Sequence, residues 1–96
     1  MEVHELTWDT RNVHHIAEHQ VIPSEIEELI FEDAPHFRGG RGEATYYVYG
    51  QSQAGRYLFL VLHNLGRNHG RVVTARTMTA QEKRLYHRTQ KGEYGH

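Results

Sequence analysis

A small α+β domain is what the order of apolar periods along this chain predicts. Two segments near the N-terminus repeat apolar residues at helical spacing, and three segments between 45 and 77 carry strand-forming residues separated by turn chemistry. Thr79 with Glu82 three positions later then opens a last helix as a capping box. At 96 residues the chain reads as one domain, 1–96, of a size that folds without metal or disulfides.

Each element has its own signal. Val3 to Thr7 alternates weakly and reads as a short edge strand leading to Trp8. Asp9 or Thr10 caps a first helix whose buried stripe is Val13, Ile16 and Ala17. Pro23, favoured at the first position of helices, opens a second with Ile26, Leu29 and Ile30 on its apolar face, and Ala34 and Pro35 end it. Three tyrosines and a valine mark strand 45–50. Strand 56–64 alternates Leu58, Leu60 and Leu62 against Tyr57, Phe59, Val61 and His63, so both of its faces are apolar. Turns at 50–55 and 65–70 make strands 45–50, 56–64 and 71–77 an antiparallel meander. The prediction is this three-stranded meander plus the N-terminal strand, with two N-terminal helices and one C-terminal helix on one face. The polar, glycine-containing tail 90–96 is expected to fray.

Composition narrows the setting. The absence of cysteine removes disulfides and thiolate zinc sites, and neither a membrane span nor a signal-peptide pattern is present, so a cytoplasmic protein away from membranes is expected. Net charge near zero conceals a split. Up to Phe37 nine acids face Arg11 alone, giving −8; from Arg38 onward ten bases face three acids, giving +7. That asymmetry suggests two differently charged faces, one of them suited to an anion such as nucleic acid.

The basic residues concentrate where a strand hands over to a helix. Arg76 stands near the exit of the strand holding Val72, Val73 and Ala75, and the next helix carries Lys83, Arg84, Tyr86, His87 and Arg88. A phosphate suits such a cluster.

A family resemblance runs through the same residues. Trp8-Asp9, Asn12-Val13, His15-Ile16-Ala17, His19, Val21, Pro23 and Glu25-Ile26-Glu27 resemble the N-terminal pattern of the BrnT-like toxins. The similarity continues through Tyr49-Gly50, Ala54 to Phe59, Thr74 to Thr79 and Glu82-Lys83-Arg84, and ends at Tyr86. Gln20 stands where that family usually has glycine, and Arg11 is the base nearest to its usual first-helix lysine. The resemblance implies a RelE-like fold and a bacterial type II toxin: a metal-independent endoribonuclease, with no cofactor, restrained by a cognate antitoxin protein. An acidic or amphipathic antitoxin segment would cover the basic groove. A homodimer through the free sheet edge is compatible with the pattern.

The chemistry also has a reading from the residues. Cleaving RNA without metal needs a base for the 2′-hydroxyl proton, cations for the transition-state charge and an acid for the departing 5′-oxygen. Histidine serves as either proton carrier near neutral pH. His15 and His19 lie four apart on the first helix, with Asn12 three before His15, so the three form one stripe. The expected catalytic residues are His15 or His19 as proton carrier with Arg56 and Arg76 on the phosphate; Asn12, Lys83, Arg84 and Tyr86 complete RNA binding. Structural readings stand beside these: Arg76 pairing Asp9 or another acid of the first third, Tyr86 packing on the sheet, and Tyr46, Tyr47, Tyr49, Tyr57 and Phe59 packing rather than stacking bases. Two further classes remain: a non-catalytic module binding nucleic acid or a protein, and a zinc-dependent hydrolase in which His15 and His19 gain His63 or Asp9 as a third ligand.

Overall fold

In the computed structural model of the chain, the described residues are 3–32, 36–39 and 44–90. Five strands form one sheet: β1 (Glu5–Thr7), β2 (His36–Gly39), β3 (Thr45–Gln51), β4 (Tyr57–Gly66) and β5 (His69–Thr77), in the order β1-β5-β4-β3-β2. The helices are α1 (Thr10–Ala17), α2 (Pro23–Glu27), which runs on as a wider π-helical turn over Glu28–Glu32, and α3 (Ala80–Gln90). The α+β class is as the sequence predicts. The ending of the second helix at Ala34 and Pro35, and the fraying of the tail beyond Gln90, lie outside the described residues.

Three features differ from the expectation. The meander gains a fourth member, because His36–Gly39 pairs antiparallel with β3. The sheet is mixed rather than antiparallel throughout, because β1 runs parallel to β5, with Glu5, Leu6 and Thr7 opposite His69, Gly70 and Arg71. The helices also occupy both faces of the sheet instead of one. Leu58, Leu60 and Leu62 point toward α1 and α2 and bury against Ile16, Val21, Ile26, Leu29 and Ile30. The alternate residues Tyr57 and Phe59 point the other way, where Tyr49, Met78 and Tyr86 of α3 form a second core. A strand with two apolar faces needs both covered, and the strand period of two divides them cleanly.

The first helix is set by its two ends. Asp9 is its N-cap: the carboxylate accepts the Asn12 backbone N–H while the Asn12 side chain accepts the Asp9 backbone N–H. The buried side is Asn12 and Ile16, with Val13 half-buried; Ala17, expected in the stripe, is exposed. At the other end Gln20 adopts the left-handed conformation, φ 61°, that the family resemblance assigns to glycine. Its N–H reaches Ala17 O, and Val21 N–H reaches Ile16 O, the hydrogen-bond pattern of a Schellman cap. Val21 and Ile16 are both fully buried, which supplies the apolar contact that accompanies such caps.

Close approach requires glycine within β3. Gly50 of β3 faces Leu29, and a Cβ there would lie 2.6 Å from Leu29 Cγ. The β4–β5 connection is a two-residue hairpin in which Arg67 and Asn68 both take positive φ, the geometry matching the sheet's right-handed twist.

Two substitutions test these backbone constraints by urea denaturation. Gln20→Gly removes left-handed strain and is expected to stabilise the fold by up to about 1 kcal/mol. Gly50→Ala overpacks the joint between β3 and the π-helical turn after α2 and is expected to destabilise the fold by about 1–3 kcal/mol.

Candidate functional site

The site begins where β1 stops. Beyond Thr7 the edge of β5 would be left unpaired, and α1 takes over that edge. The Asn12 amide makes the join, donating to Thr7 O at 2.8 Å and Val72 O at 3.3 Å, with its residue 2% exposed. Arg11 and His15, four residues apart on the exposed flank of α1, are held beside the sheet as a result.

Strand register provides the opposite wall. His63 of β4 pairs with Arg71 of β5, and both stand on the sheet face away from Leu62. Val61 pairs with Thr74 while Leu62 pairs with Val72, so Val73 is an inserted bulge residue turned outward. Arg11, Asn12, His15, His63, Arg71 and Val73 together line a cleft of about 290 Å³. Two guanidiniums and two imidazoles share it.

Arg71 is fixed from behind. Its guanidinium pairs with both oxygens of Asp9. That pairing, helped by the backbone N–H of Asn12, lowers the Asp9 carboxyl from 3.8 to about 2. A guanidinium has five N–H donors, so the pair leaves Arg71 capacity for an anion. Among the described residues Arg11 has no ion-pair partner.

The sequence-predicted residues fall into three separate places. His15 lines the cleft; His19, in the turn after α1, sits edge-on to His15 but does not line it. Asn12 is buried and holds the helix to the sheet, so it offers RNA no free amide group. Arg56 lies at the α1–α2 corner, donating at 2.8 Å to Gln20 O and to both Glu25 oxygens. Arg76 is on the opposite face, over the Phe59 ring at 4.4 Å and paired in bidentate fashion with Glu82. That bond holds the Glu82 carboxyl below, and the Arg76 guanidinium above, its ordinary pKa. One phosphate therefore cannot bridge Arg56 and Arg76, and the carboxylate Arg76 binds is Glu82, not Asp9. Tyr86, 4% exposed, packs edge-to-face on Tyr57, and Lys83 lies over that same ring at 5.5 Å. Arg84 is exposed on α3.

Sequence reading passed over Arg71 and gave Arg11 and His63 minor roles. The signal was present in part: a tight turn at Arg67-Asn68 sets the hairpin register that brings His63 opposite Arg71. For the zinc reading, no three His, Asp or Glu side chains gather closely enough among the described residues to hold a metal ion. No described helix is long and apolar enough to cross a membrane. Set against protein-family models, characterised proteins and solved structures, the chain matches none of them.

The Asp9–Arg71 pair predicts an acid dependence. A carboxyl lowered on folding adds stability that is complete above its unfolded pKa and is lost as pH falls through its folded value. The wild type is expected to lose this part of its stability between about pH 4 and about pH 2, whereas Asp9→Asn, which still caps α1, lacks it. Thermal melts of both proteins across that range read the difference, which should shrink toward the acid end.

Proposed function

We propose that the chain is a metal-independent endoribonuclease whose active site is the α1–β4–β5 cleft, acting in the cytoplasm as the toxin of a type II toxin–antitoxin pair. The carrying observation is that two imidazoles and two guanidiniums open into one cleft. The resemblance to BrnT-like toxins, with the RelE-like fold it implies, points to the same substrate.

The chemistry divides among the four residues. One of His15 and His63 takes the proton of a ribose 2′-hydroxyl, whose oxygen then attacks the adjacent phosphorus. The other protonates the departing 5′-oxygen, leaving a 2′,3′-cyclic phosphate on the upstream fragment and a 5′-hydroxyl on the downstream one. Arg11 and Arg71 donate to the nonbridging oxygens as charge builds on them, with Asp9 keeping the Arg71 fork in place. The cleft is open, which fits a single strand draped across it. A cognate antitoxin restrains the enzyme by covering these four side chains.

End-labelled single-stranded RNA incubated with the purified protein in chelator provides the test. Cleavage is expected, with a 2′,3′-cyclic end and none at a 2′-deoxy position. His15→Ala or His63→Ala should each lower the rate by about 10²-fold or more while the melting temperature holds. Arg11→Ala should cost a comparable factor through lost transition-state charge. A folded wild type that binds RNA without cutting it would move the reading to a non-catalytic binding module.

A further inference from the structure

His15 belongs to the cleft and to a second arrangement that cleavage does not use. It lies four residues before His19, and the two exposed rings stand with centroids 6.2 Å apart and planes at 71°. Imidazole is the side chain suited to zinc, copper and nickel. An ion about 2.1 Å from one nitrogen of each ring holds the two ring centres roughly 5 to 6.5 Å apart, depending on the angle between them. The observed pair already lies at the wide end of that span, and a small rotation of either exposed side chain closes it further.

We propose that His15 and His19 form a two-imidazole site for a divalent transition metal of the zinc and copper class, and that filling it withdraws His15 from the cleft and inhibits the enzyme. The inhibitory half rests on the ribonuclease reading above; the metal site does not. With only two protein ligands, water completes the coordination. The site is regulatory rather than catalytic, because the ion takes the nitrogen lone pair that a proton carrier needs. His19 gains a role here that the cleft does not give it. Copper should bind more tightly than zinc, the order followed by first-row divalent ions at nitrogen sites.

Binding is read first without RNA, on the full chain. Titrating zinc chloride into the wild type should shift the ring signals of His15 and His19 together in NMR spectra and raise the melting temperature. In His19→Ala and in His19→Gln both effects should be lost. Cleavage follows: saturating zinc should slow the wild type by about 10²-fold or more, the contribution of a general acid or base, and chelator should restore the rate. Measured against its own metal-free rate, His19→Ala should resist zinc. Ring signals unmoved by excess zinc, or binding undiminished in both His19 variants, would overturn the site. Binding through the pair with cleavage undisturbed would overturn the inhibition. A wild type that binds zinc through the pair yet never cuts RNA in chelator upholds the metal site and overturns the ribonuclease reading alone.

Discussion

The Asn12 amide is the join on which the site depends. It is buried, and a buried amide is tolerated only when its donors and its acceptor find partners. Its two donors meet Thr7 O and Val72 O, and its oxygen meets the Asp9 N–H. No other side chain of this size supplies two donors and an acceptor at once; aspartate would set a carboxylate against two carbonyl oxygens. Through these bonds the end of a three-residue strand, the start of an eight-residue helix and the middle of β5 become one rigid corner. Arg11 and His15 inherit their position from it, since each lies within one helical turn of Asn12.

Charge acts in this fold mainly as fastening. Asp9 binds Arg71 and Glu25 binds Arg56, so among the described residues the acidic N-terminal third is tied to the basic remainder at two points. Each pair also serves a helix end: Asp9 caps α1, while Glu25 accepts the Ile22 N–H at the start of α2 and shares Arg56 with the carbonyl of Gln20. A carboxylate that bonds backbone N–H groups and a guanidinium together has little freedom left, so the pair sets an angle between elements even where its net energy is small. Part of the split of −8 and +7 along the chain thus becomes contact between its two parts.

What the sequence made legible was whatever depends on period. Strand β4 shows both of its faces in its own letters, and the α2 stripe of Ile26, Leu29 and Ile30 is buried as read. What it concealed depends on register and partner choice. A strand apolar on both sides does not say which helix covers which side, so the sequence alone does not place α3 on the face opposite α1 and α2. His36–Gly39 is short and carries no alternation long enough to separate it from a loop. Arg56 and Arg76 illustrate the cost of reading residues without register. Phe59 pairs with Arg76, and Arg56 precedes Phe59 by three, an odd number, so the two arginines face opposite ways. His63 and Arg71 meet by the same rule, but their meeting also requires the hairpin turn and the register shift between Asn64 and Gly66, neither of which has a decisive local signature.

The cleft is set apart by bringing two guanidiniums, Arg11 and Arg71, beside two imidazoles. Arg76 gives a bidentate face to Glu82, and Arg56 donates through one nitrogen to both Glu25 oxygens; each holds its own elements together, and an anion approaching either would have to displace that carboxylate. Arg11 has no such competitor among the described residues, and the Asp9 that faces Arg71 is itself held by two backbone N–H groups. In the proposed reaction a phosphate meets Arg11, unpaired among the described residues, and Arg71, which is positioned but not fully occupied. Placing two imidazoles beside these cations adds proton-transfer groups without adding the negative charge a carboxylate base would bring, so binding and proton transfer do not oppose each other. The proposed cleavage of a phosphodiester without a metal draws on that arrangement: fixed positive charge for the oxygens, and imidazoles placed where a proton must be taken and given.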